Sequence, residues 1–170
     1  MKETLKAFGK MINMRQILIG LSILLLGTLV YIVDRPPYQT YFVYKSFINI
    51  SLHDALPSLF GFIGYSLPSF IHVFSLILIT AGFLSCQKRG CIVICLCWFF
   101  VDITFELGQK CDVVISKIIP SWFTRIPFLE NTENYFLFGT LAFDDIAAII
   151  IGSVMAYFVL LHTIQEVKEP

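Results

Sequence analysis

The chain has 170 residues, of which 57% are hydrophobic, 15% aromatic and only 14% charged, with a formal net charge of zero. A soluble domain carries about 25% charged residues, so this composition excludes an ordinary soluble protein and predicts an all-α membrane protein. With no basic or acidic block, nucleic acid is excluded as a partner.

The N-terminal stretch Met1 to Arg15 places Lys2, Lys6 and Lys10 four residues apart on one face of a helix, with Leu5, Phe8 and Ile12 on another. That spacing predicts a basic amphipathic segment lying on the inner membrane surface. The first span follows at Gln16–Val33, eighteen uncharged residues, about 27 Å of helix. It ends in Asp34-Arg35-Pro36-Pro37 with no small-residue cleavage site, which argues for a retained anchor rather than a cleaved signal. Gly20 and Gly27 in this span leave room for a second helix.

Asp34 to Leu67 opens on the double proline and is rich in aromatic residues. It predicts an interfacial helix over Tyr41–Leu52, then a shallow loop broken by glycine and proline. The second span is Pro68–Cys86, with proline in its first turn, where a missing N–H costs least. Gln87-Lys88-Arg89-Gly90 is expected as the basic turn into the third span, Cys91–Gln109, which makes these two helices antiparallel neighbours. Lys110 to Phe143 is a second aromatic loop, with Trp122 at the headgroup level. The fourth span is expected at Ile146–Gln165, behind Asp144-Asp145. Its Ala148, Gly152 and Ala156 recur every fourth residue, a face for tight helix packing.

The expected fold is therefore a four-transmembrane-helix bundle forming one membrane domain. The tails and the 88–89 turn hold Lys2, Lys6, Lys10, Arg15, Lys88, Arg89 and Lys168, whereas the longer loops hold Arg35, Lys45, Lys110, Lys117 and Arg125. The positive-inside rule then puts both termini in the cytoplasm and both aromatic loops outside a plasma membrane. Four of the five cysteines, Cys86, Cys91, Cys95 and Cys97, cluster without zinc-site spacing and read as packing residues.

The third span holds the chemistry. Asp102 and Glu106 stand one helical turn apart on one face, and a carboxylate at mid-membrane costs about 2.5–3.5 kcal/mol. The topology sets them near the outer side, together with Gln109, with His72 of the second span, and with Asp144 and Asp145 at the start of the fourth. One of the two aspartates is expected as a helix N-cap. The rest fit several uses. They could hold a divalent metal, the one cofactor such donors suggest. They could share a proton for acid–base work on an amphiphile, bind a basic or amide-rich ligand, or simply pair with Arg125 of the adjacent loop. No catalytic nucleophile motif accompanies them, so no enzymatic activity is assigned.

The second span's PSFIHVFSL, the third span's FELGQ ending and GTLAFDDIAAIIIGSVMAYFVL together resemble the VanZ-like family of membrane proteins, over about residues 68–160. The resemblance implies Glu106, Gln109, Asp144 and Asp145 as polar positions of that family, and a setting in the cell envelope and glycopeptide resistance. The arginine that often precedes the family's last acidic motif is replaced here by Gly139-Thr140, and its final glycine by Ala156. Two expectations of function follow. In one, an outward-facing polar site binds or processes an envelope lipid or peptidoglycan-related molecule. In the other, the protein is a non-enzymatic anchor or sensor in an oligomeric, signalling or host-defence complex, packed through its small-residue faces, with a cytoplasmic protein partner on its basic tail.

Overall fold

The structure is a computed structural model that describes residues 12–36, 50–111, 117–126 and 129–164. Among them there is no strand, and four helices are long and apolar enough to cross a membrane. The first, α1, is Met14–Leu29 and continues without a break as a wider π-turn over Val30–Asp34. Helices α2, Leu67–Leu84, and α3, Lys88–Gly108, follow, the latter closed by a 3-10 turn at Gln109–Cys111. A short helix α4, Thr132–Phe138, precedes α5, Phe143–Thr163.

Each start and stop has a local cause. Asn13 caps α1, its side chain accepting the Gln16 N–H, which sets the start before the expected Gln16. Pro68 lies in the first turn of α2. The reversal after α2 is made by Ser85, the one non-glycine residue with positive φ among those described, at 47°. The turn therefore occupies Ser85–Gln87, earlier than expected, and Lys88 and Arg89 begin α3 instead of forming the loop. Cations at a helix N-terminus oppose its dipole, so their placement there answers to something other than helix stability.

Two other expectations are corrected. Of the predicted surface helix over 41–52, residues 41–49 lie outside the described set, and Ile50–Leu52 are not helical. Leu52 instead donates its N–H to the Ile32 carbonyl at 2.8 Å. The fourth span begins at Phe143, so both Asp144 and Asp145 lie within the first turn and neither is the N-cap; that position is Ala142, which has no side-chain oxygen to offer. The basic N-terminal segment up to residue 11 is also outside the described residues.

Helix α2 is the hub, packed against α1, α3 and α5, and α5 also packs on α3. Half of α2's span is buried, against 28% for α3 and α5. Val73, Ile77, Leu78 and Ala81 of α2, Cys91, Ile94 and Cys95 of α3, and Ile149, Ala156 and Leu160 of α5 form the core. All five cysteines are free thiols. The helices approach at glycine. A Cβ at Gly152 would stand 2.7 Å from Val73 and 2.9 Å from the Phe70 carbonyl, and one at Gly82 would stand 2.6 Å from Ile17. The Gly152–Ala156 face is thus consumed inside the bundle against α2, and Ala148 at its head is half-buried. The outer faces carry Leu18, Leu25, Val93, Phe100, Ile151 and Phe158, all exposed, which is the surface a bilayer wets.

Where α1 begins, and α2 and α5 end, buried polar groups tie the bundle together. Asn13 donates from its backbone to the Gly82 carbonyl at 2.9 Å and from its side chain to the Thr163 carbonyl at 2.7 Å. Gln16 donates to the Thr163 hydroxyl at 3.0 Å. In an apolar surround an unmet polar group costs about 1–3 kcal/mol, so these mutual bonds fix the register of three helices at this end.

Candidate functional site

The opposite end of the bundle gathers the acids. Asp102 and Glu106 are both buried, 7% and 4% exposed, so the face of α3 that carries them turns into the bundle. Antiparallel packing brings His72, five residues into α2, alongside Asp102. His72 Nδ1 lies 3.2 Å from both carboxylate oxygens. Trp98, one turn before Asp102 on the same face of α3, meets the imidazole in a T-shaped contact, with ring centroids 6.4 Å apart.

Glu106 works differently. One oxygen accepts the Ala142 N–H at 3.1 Å, and the other accepts from Gln109 Nε2 at 3.0 Å. In a capping box the third residue of a helix reaches back to the N-cap N–H. Asp145 holds that third position in α5, yet it accepts instead from the Ser69 hydroxyl of α2 at 3.0 Å. A glutamate from a neighbouring helix has taken over the cap, and the local aspartate is free to join α5 to α2. The exchange leaves both oxygens of the buried Glu106 paired.

Gln109 extends the network to α4, donating also to the Tyr135 hydroxyl at 2.8 Å. Burial, and then the Glu106 charge, push the Tyr135 phenol well above its ordinary value, so it stays protonated in the neutral range. Gly139 makes the contact fit, because a Cβ there would stand 2.6 Å from Gln109 Oε1. No larger side chain could occupy this position while Gln109 holds its place.

Arg35, just past α1, adds a positive charge. Its guanidinium donates to the Tyr65 carbonyl and lies 5.8 Å from the centre of the Tyr65 ring. It interacts electrostatically with Asp145, which in turn interacts with Glu106 and Tyr135. Asp34 beside it organises the loop into α2, accepting from the Leu59 and Phe60 N–H groups at 2.8 and 2.7 Å and from the Ser58 hydroxyl at 2.9 Å.

Of the six residues picked out by sequence, His72 pairs with Asp102 and Glu106 pairs with Gln109. Asp145 meets this second pair through its charge, and Asp144 is exposed. Among the described residues no three His, Cys, Asp or Glu side chains are grouped to hold a metal ion. Sequence reasoning passed over Arg35, Ser69 and Tyr135. Arg35 is the cation at the C-terminal end of the first span, and its position there was a usable signal. Ser69 and Tyr135 carried none, since their partners are 76 and 26 residues away. Compared with known protein families, curated proteins and solved structures, the chain matches none.

Proposed function

We propose that this is a multi-pass plasma-membrane protein, both termini cytoplasmic, whose outward-facing polar site binds or processes a cell-envelope component. One observation carries the reading: Arg35, Ser69, Glu106, Tyr135 and Asp145, from five different parts of the chain, lie at one end of the bundle, with Ser69 hydrogen-bonded to Asp145, Glu106 and Tyr135 joined through Gln109, and Arg35 acting on Asp145 through its charge. Holding an apolar bundle together does not require both signs of charge at one end, and charge at membrane depth is costly. A site for a polar, partly charged headgroup does require them. The VanZ-like order of Glu106–Gln109 and Asp144–Asp145 supplies the envelope setting, a lipid-linked or peptidoglycan-related molecule.

The test is native mass spectrometry of protein extracted in particles of its own membrane. The wild-type protein retains an envelope molecule, and Arg35→Gln and Asp145→Asn reduce its occupancy at least tenfold while the protein stays folded. Equal occupancy in all three proteins would contradict the reading.

The alternative, an anchor or sensor subunit with a cytoplasmic partner, draws on the other end of the bundle. Asn13 and Gln16 couple the segment that leads out to the N-terminal tail with the end of α5, so force on the tail would reach three helices. In that case Asn13→Ala abolishes the cellular phenotype, and the Arg35 and Asp145 variants leave it intact.

A further inference from the structure

Over Leu67–Gly82 of α2, the most enclosed of the four spans, every residue is buried or half-buried but one, and that one is His72; only the last two residues of the helix, Phe83 and Leu84, are exposed beyond it. Its side chain is 55% exposed, while its partner Asp102 is 8% exposed. If this gap in the wall merely faced acyl chains, a leucine or phenylalanine would fill it at no desolvation cost. An imidazole there costs free energy in lipid, and the carboxylate behind it adds to that cost unless the pair has a use.

The geometry of the pair is specific. A carboxylate is acceptor-only, so Nδ1, which faces both of its oxygens, carries the ring proton. That fixes the tautomer and leaves Nε2 with a lone pair and no hydrogen bond among the described residues. A buried acid that orients an exposed histidine through Nδ1 is the arrangement by which proteins ready Nε2 to accept a proton or a hydrogen bond. His72 lies five residues inside α2, about 8 Å below its start at 1.5 Å per residue. With α2 entering the bilayer at its start, that depth corresponds to the boundary between headgroups and acyl chains.

We propose that His72 Nε2, oriented by Asp102, is the atom that receives a hydroxyl group of a membrane amphiphile, and that this amphiphile enters sideways from the bilayer between α2 and α3. The inference rests on the outward-facing site described above and names the class of molecule and the route it takes. A water-soluble hydroxyl compound does not reach Nε2, because the opening lies below the headgroups and is flanked by Trp98. Asp102 is a positioning residue; it meets the amphiphile only through His72.

The experiment places the full-length protein, with 15N-labelled histidine, in lipid nanodiscs and follows the His72 Nε2 resonance, assigned with His72→Gln. Added dioleoylglycerol moves the signal saturably, and glycerol at the same hydroxyl concentration does not. In Asp102→Asn the signal starts from the protonated-nitrogen position, because the asparagine amide can donate to Nδ1, and the response to dioleoylglycerol falls at least fivefold. An equal response to glycerol overturns lateral entry. An unchanged signal and response in Asp102→Asn overturn the orienting role. No response to either probe, in a protein that still retains its envelope molecule, overturns the role of His72 while the site at Arg35 and Asp145 stands.

Discussion

Glu106 shows how a costly residue in a membrane helix is stabilised. It meets an N–H that α5 cannot satisfy and a glutamine amide one turn away, so both oxygens are paired. Removing it leaves two donors unmet, and Glu106→Ala is expected to destabilise the bundle by about 1–3 kcal/mol. Glu106→Gln keeps an acceptor for Ala142 but turns an amide NH2 toward Gln109, and is expected to cost about 1 kcal/mol. Thermal unfolding in detergent ranks the two variants, and equal loss in both would show that charge alone matters there.

Asp102 and His72 predict a different pattern. Each single change strands the other partner, so His72→Leu and Asp102→Leu together should cost less than the sum of the two, with a coupling of about 0.5–3 kcal/mol. Strict additivity would mean that the 3.2 Å contact carries no energy. At Tyr135 the folded phenol titrates above the unfolded one, so its contribution to stability is intact below pH about 10 and is lost as pH rises beyond that value. Unfolding followed from pH 8 to 11 should fall more steeply in the wild-type protein than in Tyr135→Phe; parallel curves would remove Tyr135 as the cause. The acids were legible in the sequence because a carboxylate in an apolar run has no bland explanation. Ser69 and Tyr135 were not, because a serine or tyrosine in a membrane protein has many, and only the fold selects the one that applies.

The elements obey simpler rules. Four apolar runs long enough to span, one proline-led and all bounded by polar turns, were readable from composition and spacing, and the structure has four such helices. Boundaries were less so. Asn13 caps α1 from a position that looked like part of the basic tail, and Phe143 opens α5 because Glu106, distant in sequence, supplies the bond that a local cap would have made. Helix α4 escaped notice: seven residues bury too little for a periodic pattern to mark them. The small-residue face of α5 was visible, but its partner was not, and α2 is that partner. Gly152→Ala therefore drives a methyl into a backbone carbonyl and Val73, where side-chain rearrangement alone cannot relieve the clash. It is expected to lower stability by about 1–3 kcal/mol, read as a lower unfolding temperature. An unchanged or raised temperature would place the α2–α5 contact elsewhere.

At the scale of the whole molecule the bundle has two unlike ends. One is closed by neutral amide and hydroxyl groups, Asn13, Gln16 and Thr163. The other holds acids, an arginine and an exposed histidine. The proposed envelope role needs this second end outside, which is the orientation expected from the placement of lysine and arginine. Cys111 marks the polar end and Arg89 the other, and both are exposed. In a background with the remaining cysteines replaced, a membrane-impermeant maleimide applied to intact cells should label Cys111 and should label Arg89→Cys (in a chain with Cys111→Ser) only after the membrane is opened. Labelling of Arg89→Cys in intact cells, with Cys111 protected, would turn the polar end toward the cytoplasm and contradict the account.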